Sequence, residues 1–377
     1  MGRAAYQRGD CKWFQFTWPL HRELYDSPKI VVPYLAPENR FAIDRQADYI
    51  GLTDTYAIFL QDDIATSPEY VLAVLNSKLV EFRYQMKVKD KGTVYEYFEN
   101  GLEKIPVPLF ESVSGRQAKS HSVNKFESNY ETWINSKRRG DSSIDVIPKE
   151  VYNRPNQTEK THDILSYLAN QIIECNNQHS NLNLNLLDYL GTYTGGQALA
   201  ELYQPPAGLA DSILSDTAAD RENLKIESAT VTSDGSKLVL RTTARYKPEN
   251  PDEYETDQYE YTETDPLPAM EFVGLSKGER ALVEAFVPYA VEEAGGFANF
   301  RENATKTNSL IDRLEALTLP ALDDVADGLE RYRETKARAE ELDEKIEKTD
   351  ELIDQIVYEL YGLTDEEIEI VEEAVGD

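Results

Sequence analysis

Cysteine and histidine are scarce in this 377-residue sequence, and neither forms a recognisable site. The two cysteines, Cys11 and Cys175, belong to no metal-binding or redox motif, and we interpret them as inert thiols rather than a disulfide. A reducing cytoplasm is therefore the simplest expected location. The histidines show no metal-ligand spacing, so no metal site is expected from them; they are His21, His121, His162 and His179.

Long apolar runs are also missing. No run reaches the roughly 18 residues that a membrane-spanning helix needs. The N-terminal segment MGRAAYQRGDCKWFQF has no apolar signal core. We therefore expect neither a membrane span nor a secretion signal. With 41% hydrophobic residues, the chain is long enough for two or three domains with real cores.

Catalytic and cofactor motifs are absent from the sequence as well. There is no GxGxxG after a strand and no Walker loop. The QPPA segment that begins at Gln204 only faintly resembles the Asn/Asp-Pro-Pro-aromatic loop of amino-methyltransferases, and we interpret it as a turn. Asp and Glu are so abundant that no catalytic pair stands out. We expect no catalytic residue and no cofactor in this chain, which leaves open whether it is part of an enzyme.

The acidic side chains are unevenly distributed. The chain carries a net charge of −30, yet residues 1–160 contain 22 Lys and Arg and 22 Asp and Glu. The whole excess of negative charge therefore lies in residues 161–377. Only the neutral half is suited to face a polyanion such as double-stranded DNA. The overall acidity resembles that of proteins from salt-loving prokaryotes, with an acidic mesophilic protein as the alternative.

A basic segment in the neutral half is the first candidate for DNA contact. A helix is predicted from about Pro68 to Met86, with Ser67 as its N-cap, and a basic loop with aromatic residues follows. The alternative is that the basic residues form ordinary solvated loops. We expect phosphate contacts from this segment and, more weakly, from a second basic stretch: Lys78, Arg83, Lys87, Lys89, Lys91, Gly92, Arg138 and Arg139.

Base or sugar contacts are expected from four further residues. Asn39 and Arg40 lie in a loop between two predicted strands and are candidates to contact base edges, with turn formation as the alternative. Tyr95 and Tyr97 are candidates to pack against a sugar or a displaced base, with core packing as the alternative.

The apolar patterns predict a mixed fold. Short strands are expected within residues 29–61, a helix at 158–176, and a β-rich stretch at 224–273 with a hairpin turn at Asp234 and Gly235. Capping boxes start two further helices, one with Ser276 and Glu279 and one with Thr364 and Glu367.

From Leu319 an approximate heptad pattern predicts a long helix, or a helical hairpin that bends near residues 348–350. We therefore expect an α/β (α+β) domain at 1–157 and a helix with a β-containing region at 158–312. The last part, 313–377, is predicted to be a coiled-coil-like spacer or partner-contact segment.

Two separated parts of the chain resemble one protein family. The segments SPKIVVPYLAPENRFAID, LAVLNSKLVEF and YFENGLEKIPVP follow the order seen in the TaqI-like specificity domain. The C-terminal segment IDQIVYELYGLTDEEIEIVEEAV looks like the last segment of the same proteins. In them the domain lies downstream of the catalytic domain of type IIG-like adenine-specific DNA methyltransferases, which serve restriction–modification and phage defence.

The resemblance implies that target recognition and catalysis lie in different domains. In the family an upstream domain binds S-adenosylmethionine and carries an Asn-Pro-Pro-Tyr-type loop, and this sequence shows neither. We therefore expect the chain to be the recognition half, with double-stranded DNA and a methyltransferase catalytic domain or subunit as partners. S-adenosylmethionine is expected in that catalytic partner. The alternative is an acidic helical adaptor, or an inactive truncated remnant, that binds a protein.

Overall fold

The computed structural model describes residues 8, 26–49, 54–61, 66–87, 94–109, 121–135, 159–203, 222–248, 250, 253–257, 259–293 and 314–376. The chain divides into two compact units. The first comprises Met1–Asn181 and Glu341–Asp377, and the second comprises Leu182–Glu340. The three consecutive parts predicted from the sequence differ from this division, because the chain returns to the first unit at its C-terminal end.

The first unit contains a small antiparallel sheet. Strand β1 (Lys29–Pro33) lies between β3 (Ala42–Asp44) and β4 (Thr55–Ile58). Strand β2 (Leu35–Ala36) pairs separately with β5 (Tyr95–Glu96). The strands expected within residues 29–61 are thus confirmed, and β5 is an additional strand.

Five helices of the described residues accompany this sheet: α1 (Pro68–Leu75), α2 (Lys78–Gln85), α3 (Glu99–Leu102), α4 (His121–Ile134) and α5 (Glu159–Ser180). The N-cap of α1 is confirmed, because the N–H of Tyr70 donates to Ser67 Oγ at 3.1 Å. Helix α5 confirms the helix predicted at 158–176, whereas α4 lies in a stretch that the sequence left unassigned. The side chains of α4 and α5 help to build one core with the sheet and α1.

The prediction of one helix from Pro68 to Met86 is wrong. The segment is two helices that meet at Asn76 and Ser77. Asn76 exchanges two hydrogen bonds with the backbone of Phe41, donating to its carbonyl at 3.0 Å and accepting from its N–H at 2.9 Å. Ser77 then caps α2. The break therefore attaches the helix pair to the loop that precedes β3.

The second unit is built on a four-stranded antiparallel sheet. It contains β7 (Glu222–Asp234), β8 (Lys237–Lys247), β9 (Thr262–Glu263) and β10 (Leu267–Phe272), with β8 in the centre. The predicted hairpin turn is confirmed, and Gly235 adopts a φ of +58° there.

Helices and a two-stranded sheet complete the second unit: α6 (Leu186–Leu190), β6 (Gly195–Ala198), α7 (Leu199–Leu202), α8 (Lys277–Glu293) and β11 (Thr318–Pro320). Helix α8 packs against β7. Its capping box is confirmed, since Ser276 N–H donates to a Glu279 carboxylate oxygen at 2.7 Å and Glu279 N–H donates to Ser276 Oγ at 3.3 Å.

Helix α9 (Leu322–Tyr361) is one uninterrupted helix of 40 residues, so the hairpin alternative is wrong. At 1.5 Å per residue it is about 60 Å long. Its residues up to Glu340 belong to the second unit and the later ones to the first. A last helix, α10 (Asp365–Val375), begins at the predicted capping box of Thr364 and Glu367.

The second half of α9 is part of the core of the first unit. Leu352, Ile353, Ile356, Val357 and Leu360 are buried among the residues of β1, α1 and α5. The expected spacer therefore contributes at its C-terminal end to the same compact unit as residues 29–109.

Candidate nucleic-acid interface

Helix α2 carries basic side chains at its C-terminal end. Arg83 and Lys87 are exposed there, beside Met86, whose side chain is 71% exposed. A third exposed cation, Lys104, follows the short helix α3. The fold therefore brings two distant basic positions of the sequence to one surface.

These three cations line one concave site, which we call the basic pocket. It has a volume of about 280 Å³. Its lining residues are Arg83, Tyr84, Lys87, Phe98, Asn100, Gly101, Lys104 and Ile105. Three cations around an open recess are suited to bind a phosphate group.

Stacked tyrosines hold the basic pocket in place. The rings of Tyr84 and Tyr97 stack with their centroids 4.6 Å apart. The Tyr84 hydroxyl donates to the carbonyl of Glu96 at 3.1 Å and accepts from the N–H of Phe98 at 3.2 Å. A Cβ at Gly101 would lie 2.7 Å from that hydroxyl, so glycine is what permits α3 to approach α2. The floor of the pocket is thus rigidly built.

Asn39 and Tyr97 serve this scaffold in the described structure. Asn39 donates its side-chain N–H to the carbonyl of Leu75 at 2.7 Å and accepts from the Tyr97 hydroxyl at 2.7 Å. Tyr97 is only 1% exposed, and burial raises the pKa of its hydroxyl. Both side chains therefore form hydrogen bonds inside the domain, where Tyr97 is buried and Asn39 is half-buried.

The other expected base and sugar contacts lie nearer the surface. Arg40 is exposed and forms an ion pair with Glu38 at 2.8 Å. Tyr95 lies half-buried in β5. Lys78, an expected phosphate contact, is half-buried at the start of α2. The structure thus brings Arg83 and Lys87 together in the basic pocket and leaves Lys78, Arg40 and Tyr95 outside its lining.

Five expected phosphate-contact residues lie outside the described residues: Lys89, Lys91, Gly92, Arg138 and Arg139. Lys104, in contrast, lines the pocket but was missed from the sequence. Its neighbour Glu103 cancels its charge locally, so no basic cluster marks the position. The fold alone shows that Lys104 faces the same recess as Arg83.

The C-terminal segment supports the residues that follow the pocket. The Tyr361 hydroxyl at the end of α9 donates to the carbonyl of Pro106, and the Tyr70 hydroxyl donates to that of Pro108 at 2.9 Å. Burial raises the pKa of Tyr361 to about 12, and the nearby Arg83 acts in the opposite direction. Tyr361 therefore links the C-terminal helix to the IPVP segment beside the pocket.

A second link joins α9 to the start of α2. Asp354 is 7% exposed, and its Oδ1 accepts from the backbone N–H of Lys78 at 2.8 Å. A carboxylate at a helix N-terminus is favourably placed with respect to the helix dipole. The C-terminal part of α9 and helix α2, which are far apart in the chain, therefore meet in this unit.

Within the described residues, no helix is long and apolar enough to cross a lipid bilayer. The same ranges contain no group of three or more His, Cys, Asp or Glu side chains placed to hold a metal ion.

A known protein family matches part of the first unit in sequence. Residues 6–107 match the sequence model of the TaqI-like C-terminal specificity domain. No curated protein matches the chain. The matched range contains β1 to β5, α1 to α3 and the whole lining of the basic pocket. A domain of this kind is the DNA sequence-specificity part of a methyltransferase. The chain therefore carries a TaqI-like C-terminal specificity domain in residues 6–107.

Proposed function

We propose that this chain supplies target recognition for an adenine-specific DNA methyltransferase of a restriction–modification system. In this proposal it positions the duplex for a catalytic domain that another chain provides. The observation that carries the proposal is the position of the basic pocket, which lies entirely within the matched specificity domain. The adenine as target base and a role in phage defence belong to the proposal.

The basic pocket would act by holding the DNA backbone. Arg83, Lys87 and Lys104 form no ion pair with any residue of the described ranges, so their charges are available to a phosphate. Such contacts fix the register of a duplex without reading its sequence. Arg40, which is exposed near β3, remains a candidate for contact with base edges.

Methyl transfer would belong to the partner. S-adenosylmethionine would bind the catalytic domain of that partner, and this chain would present the duplex to it. The reducing cytoplasm, where cellular DNA and such systems occur in prokaryotes, is the proposed location.

The test is the salt dependence of duplex binding by the variant Arg83→Ala/Lys87→Ala/Lys104→Ala. Each neutralised phosphate contributes about −0.9 to the slope of log binding constant against log salt concentration. Removing three contacts should therefore flatten the slope by about 2–3 units and weaken binding to all sequences alike. Fluorescence anisotropy with a labelled duplex measures both quantities.

A charge-matched control separates the pocket from overall electrostatics. The control variant neutralises three exposed cations of the second unit, Lys277, Arg331 and Lys336. It should leave the salt slope within about half a unit of the unmodified protein. Equal slopes for the pocket variant and the unmodified protein would contradict the proposed contact surface. Absence of duplex binding together with assembly on a protein partner would instead favour the acidic-adaptor alternative.

A further inference from the structure

A second recess of the first unit lies between strand β3 and helices α1, α5 and α9. It has a volume of about 330 Å³. Nine of its lining residues are apolar: Phe41, Ala42, Ile43, Leu72, Ala73, Ala169, Ile172, Ile173 and Ile353. We call this recess the acid-lined pocket because of the charges at one side of it. Its apolar part is large enough to enclose a chain of several methylene groups.

Two carboxyl groups face this pocket from α9. Asp350 and Asp354 are four residues apart, which places them on the same face of the helix. Asp354 is almost fully buried, whereas Asp350 is more exposed. The remaining polar lining residues are Asn76, Asn176 and Asn177, so the lining contains two acids and no Lys or Arg.

The polar side chains that line the pocket differ in the hydrogen bonds that they make. The side chain of Asn76 is occupied with the backbone of Phe41. Asp354 accepts the N–H of Lys78 through Oδ1, and the structure gives its Oδ2 no hydrogen-bond donor among the described residues. A buried carboxylate that lacks a cationic partner is costly, and a cation that enters beside it removes part of that cost.

The raised pKa values of the two acids agree with this geometry. Burial raises the pKa of Asp354 to about 7, with Asp350 and Glu372 acting in the same direction and Lys78 in the opposite one. Desolvation by the surrounding residues also raises the pKa of Asp350 to about 6, although part of this residue is exposed. The charge of Lys78, which does not line the pocket, acts against the effect of burial without cancelling it.

We propose that the acid-lined pocket binds a small primary alkylammonium ion, with its ammonium group at Asp354 and Asp350 and its alkyl chain against the apolar lining. The ammonium group offers three donors, which suits the free oxygens of two carboxylates. The alkyl chain replaces water against Ile172, Ile173 and Ile353, which stabilises the complex through apolar burial. This site is separate from the basic pocket, and the inference does not depend on the proposed DNA recognition.

Binding of hexylammonium to the full chain at pH 8, followed by calorimetry, tests the proposal. Methylammonium has the head group without the chain, and 1-hexanol has the chain without the charge. We expect saturable binding of hexylammonium at least about tenfold tighter than that of either control compound. Below neutral pH the binding should release protons, because the ammonium group displaces them from the carboxyl groups.

Substitutions in the chain test whether hexylammonium binds in the acid-lined pocket. Asp354→Asn keeps an oxygen that can accept the Lys78 N–H and should weaken hexylammonium binding about tenfold or more. Ala42→Phe should do the same without a change of charge, because Ala42 is exposed on the edge strand β3 and a larger side chain there fills the pocket. Glu347→Gln is the control, since Glu347 is an exposed acid of the same helix, and its affinity should change less than about twofold.

Three outcomes would overturn the proposal. The first is 1-hexanol binding as tightly as hexylammonium, which would make the pocket a purely apolar cavity. The second is an equal loss of affinity in Glu347→Gln and Asp354→Asn, which would reduce the effect to general attraction by an acidic protein. The third is no saturable binding of hexylammonium to the folded protein, with folding verified by circular dichroism for every variant.

Discussion

At the scale of single residues, Asp354 connects distant parts of the chain. It lies on α9, yet its carboxylate accepts the first N–H of α2. Burial raises its pKa to about 7 from a usual value of 3.8. The folded protein therefore holds a proton on this group more strongly than the unfolded chain does. The free energy of unfolding should fall as the pH rises between these two values.

The variant Asp354→Asn tests the predicted fall of the free energy of unfolding with rising pH. We expect the free energy of unfolding of the unmodified protein to fall by about 1–3 kcal/mol from about pH 5 to about pH 8, and that of the variant to fall less. Asp350, Glu81 and Glu359, whose pKa values desolvation also raises, are present in both proteins, so the difference between the two curves reports Asp354. Urea denaturation at several pH values measures the effect. Parallel curves for the variant and the unmodified protein would show that Asp354 does not titrate in this range.

Single residues of the candidate site were predictable only where their neighbours in the sequence indicated a basic surface. Arg83 and Lys87 belong to a basic stretch of sequence, and both line the basic pocket. Lys104 has an adjacent acid, so only the fold reveals its position. The sequence predicts Asn39 as a candidate base contact because it lies in a loop between two predicted strands. Its partners, Leu75 and Tyr97, are distant in sequence, and no local pattern indicates that they occupy it.

At the scale of elements, the caps and turns were predictable and the breaks were not. Hydrophobic periodicity continues through Asn76 and Ser77, so the sequence predicts one helix there. The break depends on hydrogen bonds from Asn76 to Phe41, a contact between distant parts of the chain. Helix α4 is a different case, because its apolar residues Val123, Phe126, Tyr130 and Ile134 recur at helical spacing and the sequence does carry the signal for it. Burial against α5 stabilises the helix.

Helix α9 depends on a glycine in its interior. A Cβ at Gly328 would lie 2.9 Å from the carbonyl carbon of Tyr189 in α6, and closer still to its oxygen. Gly328→Ala would gain about 1 kcal/mol on an open helix. Here we expect a net loss of about 1–3 kcal/mol from overpacking. Thermal unfolding measures the difference, with the exposed neighbour substitution Asp327→Ala as control. A stabilised Gly328→Ala would contradict the close approach of α6 and α9.

The second half of α9 should be essential for the stability of the first unit. Leu352 is fully buried in the core that contains α1 and α5. We expect Leu352→Ala to lower the free energy of unfolding by about 2–5 kcal/mol, from lost burial and the cavity that remains. The exposed neighbour substitution Glu351→Ala should change it by less than about 0.5 kcal/mol. Similar small effects of both substitutions would support the spacer interpretation of this segment instead.

At the scale of the whole molecule, charge is separated along the chain. The net charge of −30 comes from residues 161–377, whereas the TaqI-like specificity domain lies in the neutral part. An acidic protein repels DNA unless a local surface offsets the repulsion. The basic pocket provides such a surface among the described residues, and it lies inside the range that matches the specificity domain.

Selection from a random-sequence duplex library tests the central claim most directly. The full chain is incubated with the library, and the bound DNA is sequenced after successive rounds. Sequence-specific recognition by the matched domain predicts that one short motif is enriched over the starting library. Bound DNA with no enriched motif, or no bound DNA at all, would contradict the proposal that this chain recognises a target sequence.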